Sequence, residues 1–173
     1  MDSEIVVPGS VANLGGGFDT LAVAVELFLR VRIVDVRADG GARLVVTRSH
    51  PAVTGVNAVE RAFARLADRM ATGPVPSVFV EVHSEIPMAA GLGSSAAATV
   101  AGLRVFEAVT TPVPESLLLA TATALEGHAD NAAAALFGGL TSVVEGMGPE
   151  GEEARALRWQ WPDDLRLVVA TPF

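Results

Sequence analysis

Three segments of this 173-residue sequence bring together residue types that do chemistry. The first is Pro87-Met88-Ala89-Ala90-Gly91-Leu92-Gly93-Ser94-Ser95-Ala96-Ala97. Glycines lack β-carbons, so the backbone there can close around phosphate groups. A helix starting at the end of the run points free N–H groups and the positive end of its dipole at the anion. Ser94 and Ser95 add hydroxyls suited to phosphate oxygens or to Mg2+. Read alone, Gly91-x-Gly93-x-x-Ala96 also fits a dinucleotide fingerprint, but that fingerprint needs a strand, a helix and then a parallel strand. Here Pro112, Pro114 and a second helix follow instead. A serine-capped helix start with no ligand fits the same residues.

The second segment is Asn13-Leu14-Gly15-Gly16-Gly17-Phe18-Asp19. Three glycines let a ligand come close, and Asp19 can accept hydrogen bonds from a hydroxyl or ammonium group. A flexible turn with Asp19 bonding local backbone N–H groups is the alternative. The third is Glu126-Gly127-His128-Ala129-Asp130-Asn131, four polar side chains between alanine-rich helices. Polar groups in an apolar setting must be paired, which points to a ligand, a metal or a helix cap. His50 and His83 lack polar company and read as ordinary strand or loop residues. One histidine makes no zinc site without further ligands, and Ser94 lacks the G-x-S-x-G elbow of a serine hydrolase.

The elements that must position these segments follow from apolar periodicity. Ile5–Val7 reads as a short strand stopped by Pro8 and Gly9, with a loop over Ser10–Asp19. Leu21–Val36 reads as a long β segment, Asp39-Gly40-Gly41 as a hairpin turn and Ala42–Thr47 as the return strand. Asn57–Met70 has helical spacing with Asn57 as N-cap. Ser77–His83 is a strand burying Val78, Val80 and Val82. Ala96–Val109 is a buried helix, Pro114 and Glu115 open another to Leu125, and Asp130 or Asn131 caps a short helix to Phe137. Leu140–Glu145 is a strand, Gly146–Glu153 a loop and Leu165–Ala170 a final strand. Strands first and helices later indicate an α+β domain.

Composition removes whole classes of function. Twelve basic against twenty acidic residues give a net charge of −8; all the basic residues are arginine, which argues against nucleic acid as partner. Without lysine there is no lysine Schiff base and no G-x-x-x-x-G-K-[ST] phosphate loop. Without cysteine there are no disulfides and no thiolate chemistry. Asp2 and Glu4 stand where a signal peptide needs positive charge, and no apolar run approaches the roughly 18 residues of a membrane span. A soluble, cytoplasmic protein with no membrane partner is expected.

In this order the three segments resemble the GHMP small-molecule kinases, and among them the homoserine kinases. Val7–Asp19 is similar to the first motif of that family, Ile86–Ala98 to its ATP-phosphate loop, and Glu126–Asn131 with Gly138-Gly139-Leu140 to its third polar cluster. The resemblance implies a GHMP kinase N-terminal domain over residues 1–173, ribosomal protein S5 domain 2-like in fold, without the family's C-terminal domain. It implies ATP- and Mg2+-dependent phosphorylation of the L-homoserine hydroxyl, a step of threonine biosynthesis. Pro87, Gly91, Leu92, Gly93, Ser94, Ser95, Ala96 and Ala97 would hold ATP, and Ser95 and Glu126 would meet the metal. Asn13, Asp19, His128 and Asn131 would line the substrate side, with Asp130 as candidate base beside Asn131.

Three departures stand out. Relatives carry a glutamate two residues before the Glu-Gly-His stretch, where this chain has Ala124. Their Gly-Pro-Gly is Gly15-Gly16-Gly17 here. The chain stops at Pro172-Phe173, where relatives continue into a second domain that supplies an arginine for the substrate carboxylate. The competing expectations are a nucleotide-binding module without turnover and, disfavoured by charge, an RNA-binding domain. An exposed apolar surface near Trp159 and Trp161 is expected to drive homodimerisation or poor solubility.

Overall fold

The computed structural model describes residues 3–53, 55–70, 72–146 and 153–170. In chain order the elements are β1 (Glu4–Leu14), β2 (Gly17–Arg37), β3 (Leu44–His50), α1 (Ala58–Met70), β4 (Ser77–Ser84), α2 (Ser94–Val109), α3 (Glu115–Glu126), α4 (Asp130–Phe137), β5 (Leu140–Gly146) and β6 (Glu153–Trp159). The expected α+β class holds: helices cover a mixed six-stranded sheet of order β3-β4-β2-β5-β6, with β1 paired to β2.

The 21-residue strand β2 organises the sheet. One edge pairs antiparallel with β1, and the other carries β5 against Leu21–Val23 and β4 against Leu29–Arg37. Val78, Val80 and Val82 point inward and are buried, as expected, while His83 on the opposite face is exposed. That outer face is held by polar pairs, among them Arg32 on Glu81 at 2.6 Å.

Four expectations need correction. Pro8 and Gly9 do not stop the first strand; a register shift lies between them and β1 runs on to Leu14. Proline lacks an N–H, and a bulge on an edge strand is where that loss is tolerated. The loop expected over Ser10–Asp19 is therefore strand up to Leu14, and only Gly15 and Gly16 turn the chain. Asp39-Gly40-Gly41 does turn, with the Gly41 N–H donating to Asp39 Oδ1 at 2.9 Å, but no hairpin results. β3 pairs parallel with β4 instead, because β4 occupies the β2 edge that a hairpin would use. The final strand over Leu165–Ala170 does not form. β5 takes Glu153–Trp159 as its antiparallel neighbour, and Leu165, Leu167, Val168 and Val169 stay exposed.

Smaller differences concern boundaries. α2 starts at Ser94, two residues early, and α4 has Ala129 rather than Asp130 or Asn131 at its N-cap. Of the expected loop Gly146–Glu153, residues 147–152 lie outside the described residues.

Packing between α1 and α2 is unusually close. α1 turns Val59, Ala62, Phe63, Leu66 and Ala67 inward, and the Asn57 carboxamide caps it by accepting the Val59 N–H at 2.9 Å. Phe63 meets Phe106 of α2 edge to face at 5.6 Å. At Gly102 of α2 a β-carbon would overlap the carbonyl oxygen of Val59, so glycine is what lets the two backbones touch there.

Candidate active site

From Ser84 the chain crosses residues 85–93 to reach α2. Buried Ile86 and Leu92 pin this loop to the core, and the Leu92 carbonyl accepts the Ser10 N–H of β1 at 3.0 Å. Between the pins, Pro87, Met88, Ala89 and Gly91 are exposed. Ala89, Gly91 and Gly93 all take left-handed backbone angles. At Gly93 (φ 66°) a β-carbon would also overlap Ser10 Oγ and lie 3.1 Å from Asn131 Oδ1.

The first helical bond of α2 runs from the Ala97 N–H to the Gly93 carbonyl at 2.9 Å. The N–H groups of Ser94, Ser95 and Ala96 precede that ladder, and the N-cap residue, Gly93, brings no side chain to cap them. Ala96 and Ala97 are buried and seat the helix, whereas Ser95 is exposed. The result is a set of oriented donors at the positive end of a 16-residue helix.

Two polar clusters flank these donors. In one, the fully buried Ser10 hydroxyl donates to Asn131 Oδ1 at 2.8 Å. Next to Asn131, Asp130 is 1% exposed. Its Oδ1 accepts the Asn131 N–H at 2.6 Å and lies 2.8 Å from His128 Nδ1. In the other, the Glu126 side chain is 6% exposed. Its Oε1 accepts from Thr99 Oγ1 at 2.6 Å and from Ser95 Oγ at 3.2 Å, with an Arg61 guanidinium nitrogen 3.8 Å away.

A cleft of about 220 Å³ opens beside Ser94 and Ser95. His50, Val53, Val56, Val59 and Met88 line it, and Val53, Val56 and Met88 are exposed. An apolar cleft next to a cluster of anion donors is the usual form of a small-ligand site.

Residues 57–139 match the GHMP kinases N terminal domain. The chain is 37% identical over 182 residues to a homoserine kinase of Clavibacter michiganensis, covering 97% of this chain and 54% of that protein. Over residues 57–139 the chain is a GHMP kinase N-terminal domain. Among solved structures, a homoserine kinase from Cytophaga hutchinsonii superposes with a TM-score of 0.69 at 26% identity, over 94% of this chain and 53% of that one. The Methanococcus jannaschii mevalonate kinase superposes with a TM-score of 0.66 at 14% identity, over 92% and 56%, a likeness of fold. The chain spans about half the length of the curated relatives it matches.

Within this GHMP domain the residues singled out from sequence fall into three groups. Gly93 and Asn131 meet through Ser10, and Ser95 meets Glu126 directly. His128 pairs with Asp130, whose carboxylate also accepts the Asn131 N–H, so both belong to the group around Ser10, Gly93 and Asn131. Asn13 and Asp19 sit apart at the β1–β2 turn. Both are exposed with left-handed backbones, and the Asp19 N–H donates to Asn13 Oδ1 at 2.8 Å. The side chain that bonds the backbone of this turn is thus that of Asn13, where the alternative expected Asp19.

Ser10, Thr99 and Arg61 carry no role in the sequence reading, yet all three hold the site together. Ser10 lies within the first motif, where a polar residue in an apolar strand is the available signal. Thr99 follows the glycine and serine run by four residues, and Arg61 is one of twelve arginines in the chain. Neither residue type signals chemistry at those positions. His50 and His83, read as ordinary strand or loop residues, stack their rings on each other at 5.3 Å, and His50 walls the cleft.

Proposed function

We propose that this chain binds Mg-ATP at the N-terminus of α2 and serves transfer of its terminal phosphoryl group to the hydroxyl of L-homoserine. The convergence of Ser10, Gly93 and Asn131, three segments distant in sequence, carries the reading. The homoserine kinases among its relatives supply the substrate class.

In this reading the N–H groups of Ser94, Ser95 and Ala96 hold phosphate oxygens, and the apolar cleft takes the base. Magnesium prefers oxygen ligands and usually uses one or two carboxylates together with substrate phosphates. Ser95 Oγ and the Glu126 carboxylate fit that donor set. Among the described residues no three His, Cys, Asp or Glu gather to hold a metal on their own, so Ser95 and Glu126 would hold it together with phosphate oxygens. Such a metal would supply neutralisation of charge on the transferring group. Ala124 is exposed and stands two residues before Glu126, hence on another face of α3; Glu126 is the carboxylate within reach of Ser95.

Phosphoryl transfer is mostly positioning and charge stabilisation, so no strong base is needed. Asp130 then acts on His128 and on the first turn of α4, holding Asn131 beside Gly93. His128, half-buried, and Asn131 face the substrate side, with Asn13 and Asp19 approaching from the hairpin.

A second reading, nucleotide binding without turnover, rests on one observation: at this end of α3 only Glu126 offers a carboxylate to a metal, position 124 being alanine. ADP release with Mg-ATP and L-homoserine, with mevalonate and galactose as controls, separates the two. Homoserine-dependent turnover supports the kinase; ATP protection against heat with no turnover supports the binding module. Absence of both removes the nucleotide site.

A further inference from the structure

The Glu126 carboxylate is nearly buried, and its two hydrogen-bond donors, Thr99 and Ser95, are neutral. A buried charge of this kind needs a counter-charge. Arg61 provides it from α1, but at 3.8 Å, beyond hydrogen-bond distance. The guanidinium is 45% exposed, while its backbone is fixed in the first turn of α1 by the Arg61 N–H donating to Asn57 O at 3.0 Å. The head group is thus loosely held on a fixed stem.

We infer that Arg61 is the resident counter-ion of the phosphate loop, neutralising Glu126 in the nucleotide-free chain and passing to the nucleotide's phosphates when metal takes the carboxylate. This rests on reading the α2 N-terminus as a nucleotide site. A divalent ion on Glu126 and Ser95 would stand against the guanidinium, and like charges repel. The phosphates that arrive with the metal are the anions nearest to hand. A planar guanidinium can grip two phosphate oxygens at once, and with no lysine in the chain arginine is the only strong cation type available for that task.

The test compares wild type, Arg61→Gln and Arg61→Lys, reading ATP binding by calorimetry in EDTA and in Mg2+, and thermal melting against Mg2+ alone. Arg61→Gln is expected to bind metal-free ATP about tenfold more weakly, because Glu126, left without its counter-charge, then repels the phosphates. It is also expected to reach its Mg2+ midpoint at several-fold lower concentration, because the competing cation is gone. Arg61→Lys should keep a midpoint close to wild type. If Arg61→Gln melts low, Mg2+ alone should restore it, and the double variant Arg61→Gln/Glu126→Gln should melt normally with no response to Mg2+. An unchanged or higher midpoint, with ATP binding intact in wild type, overturns the exchange and leaves the proposed function standing. Failure of wild type to bind ATP overturns both.

Discussion

Ser10 Oγ donates to Asn131 Oδ1 at 2.8 Å, joining the first strand to the fourth helix across 121 positions of sequence. Both groups close over Gly93, so the strand, the phosphate loop and the helix share one point. Correct placement of the Asn131 carboxamide depends on all three at once.

Replacing Gly93 with alanine should therefore be costly. The β-carbon meets Ser10 Oγ, and the φ of 66° strains any residue but glycine. A loss of about 1–3 kcal/mol in stability is expected, together with loss of ATP-induced protection. Ser10→Gly in the same chain should recover only part of the stability, since the backbone strain remains. Thermal melts with and without Mg-ATP check both points.

Two side chains donate to the same Glu126 oxygen, and their removal should separate stability from binding. Thr99→Val takes the 2.6 Å donor from a buried carboxylate and should cost about 1–3 kcal/mol of folding free energy. Ser95→Ala, at an exposed hydroxyl, should change stability by less than about 0.5 kcal/mol. It should nevertheless weaken Mg-ATP binding more than metal-free ATP binding. Urea unfolding and calorimetry give the two readouts.

Acid sensitivity should be traceable to the outer sheet face. The hydrogen bond from Arg32 holds the Glu81 carboxyl below its ordinary value of 4.5. A depressed carboxylate adds stability above that value and loses it as pH falls through the folded-state value. The difference in melting temperature between wild type and Glu81→Gln should thus be largest at neutral pH and shrink below about pH 4.5. A constant difference across that range would remove Glu81 from the acid transition.

The exposed apolar segment near the C-terminus should promote self-association. Val168 is 88% exposed, and Leu157 and Trp159 of β6 are exposed as well. Val168→Asp is expected to lower the apparent mass at high concentration in light scattering, with no change in melting temperature. A wild-type chain that stays monomeric at high concentration would contradict this.

Legibility in the sequence tracks the strength of local signals. Helices α1 to α4 are readable because apolar spacing and caps such as Asn57 act within a few residues. β6 is not: Glu153–Trp159 holds no β-branched residue, and only its pairing with β5 makes it a strand. Leu165–Ala170 has the right composition and no strand partner among the described residues. Pro8 misleads for the converse reason, since its cost disappears at a bulge. At the site, the glycines and serines are visible as a motif, whereas Arg61 and Thr99 matter only through Glu126, a relation that exists in three dimensions alone.

Gly102 has a mechanical meaning for the site. It lies eight residues into α2 from Ser94, about 12 Å along the axis at 1.5 Å per residue, and there α2 rests directly on the α1 backbone at Val59. The helix bearing Arg61 and the helix bearing Ser94 and Ser95 are thus riveted into one stiff plate. Cation and anion cradle cannot drift apart by sliding; whatever adjustment nucleotide demands must come from the arginine side chain or from the loop, not from the helices.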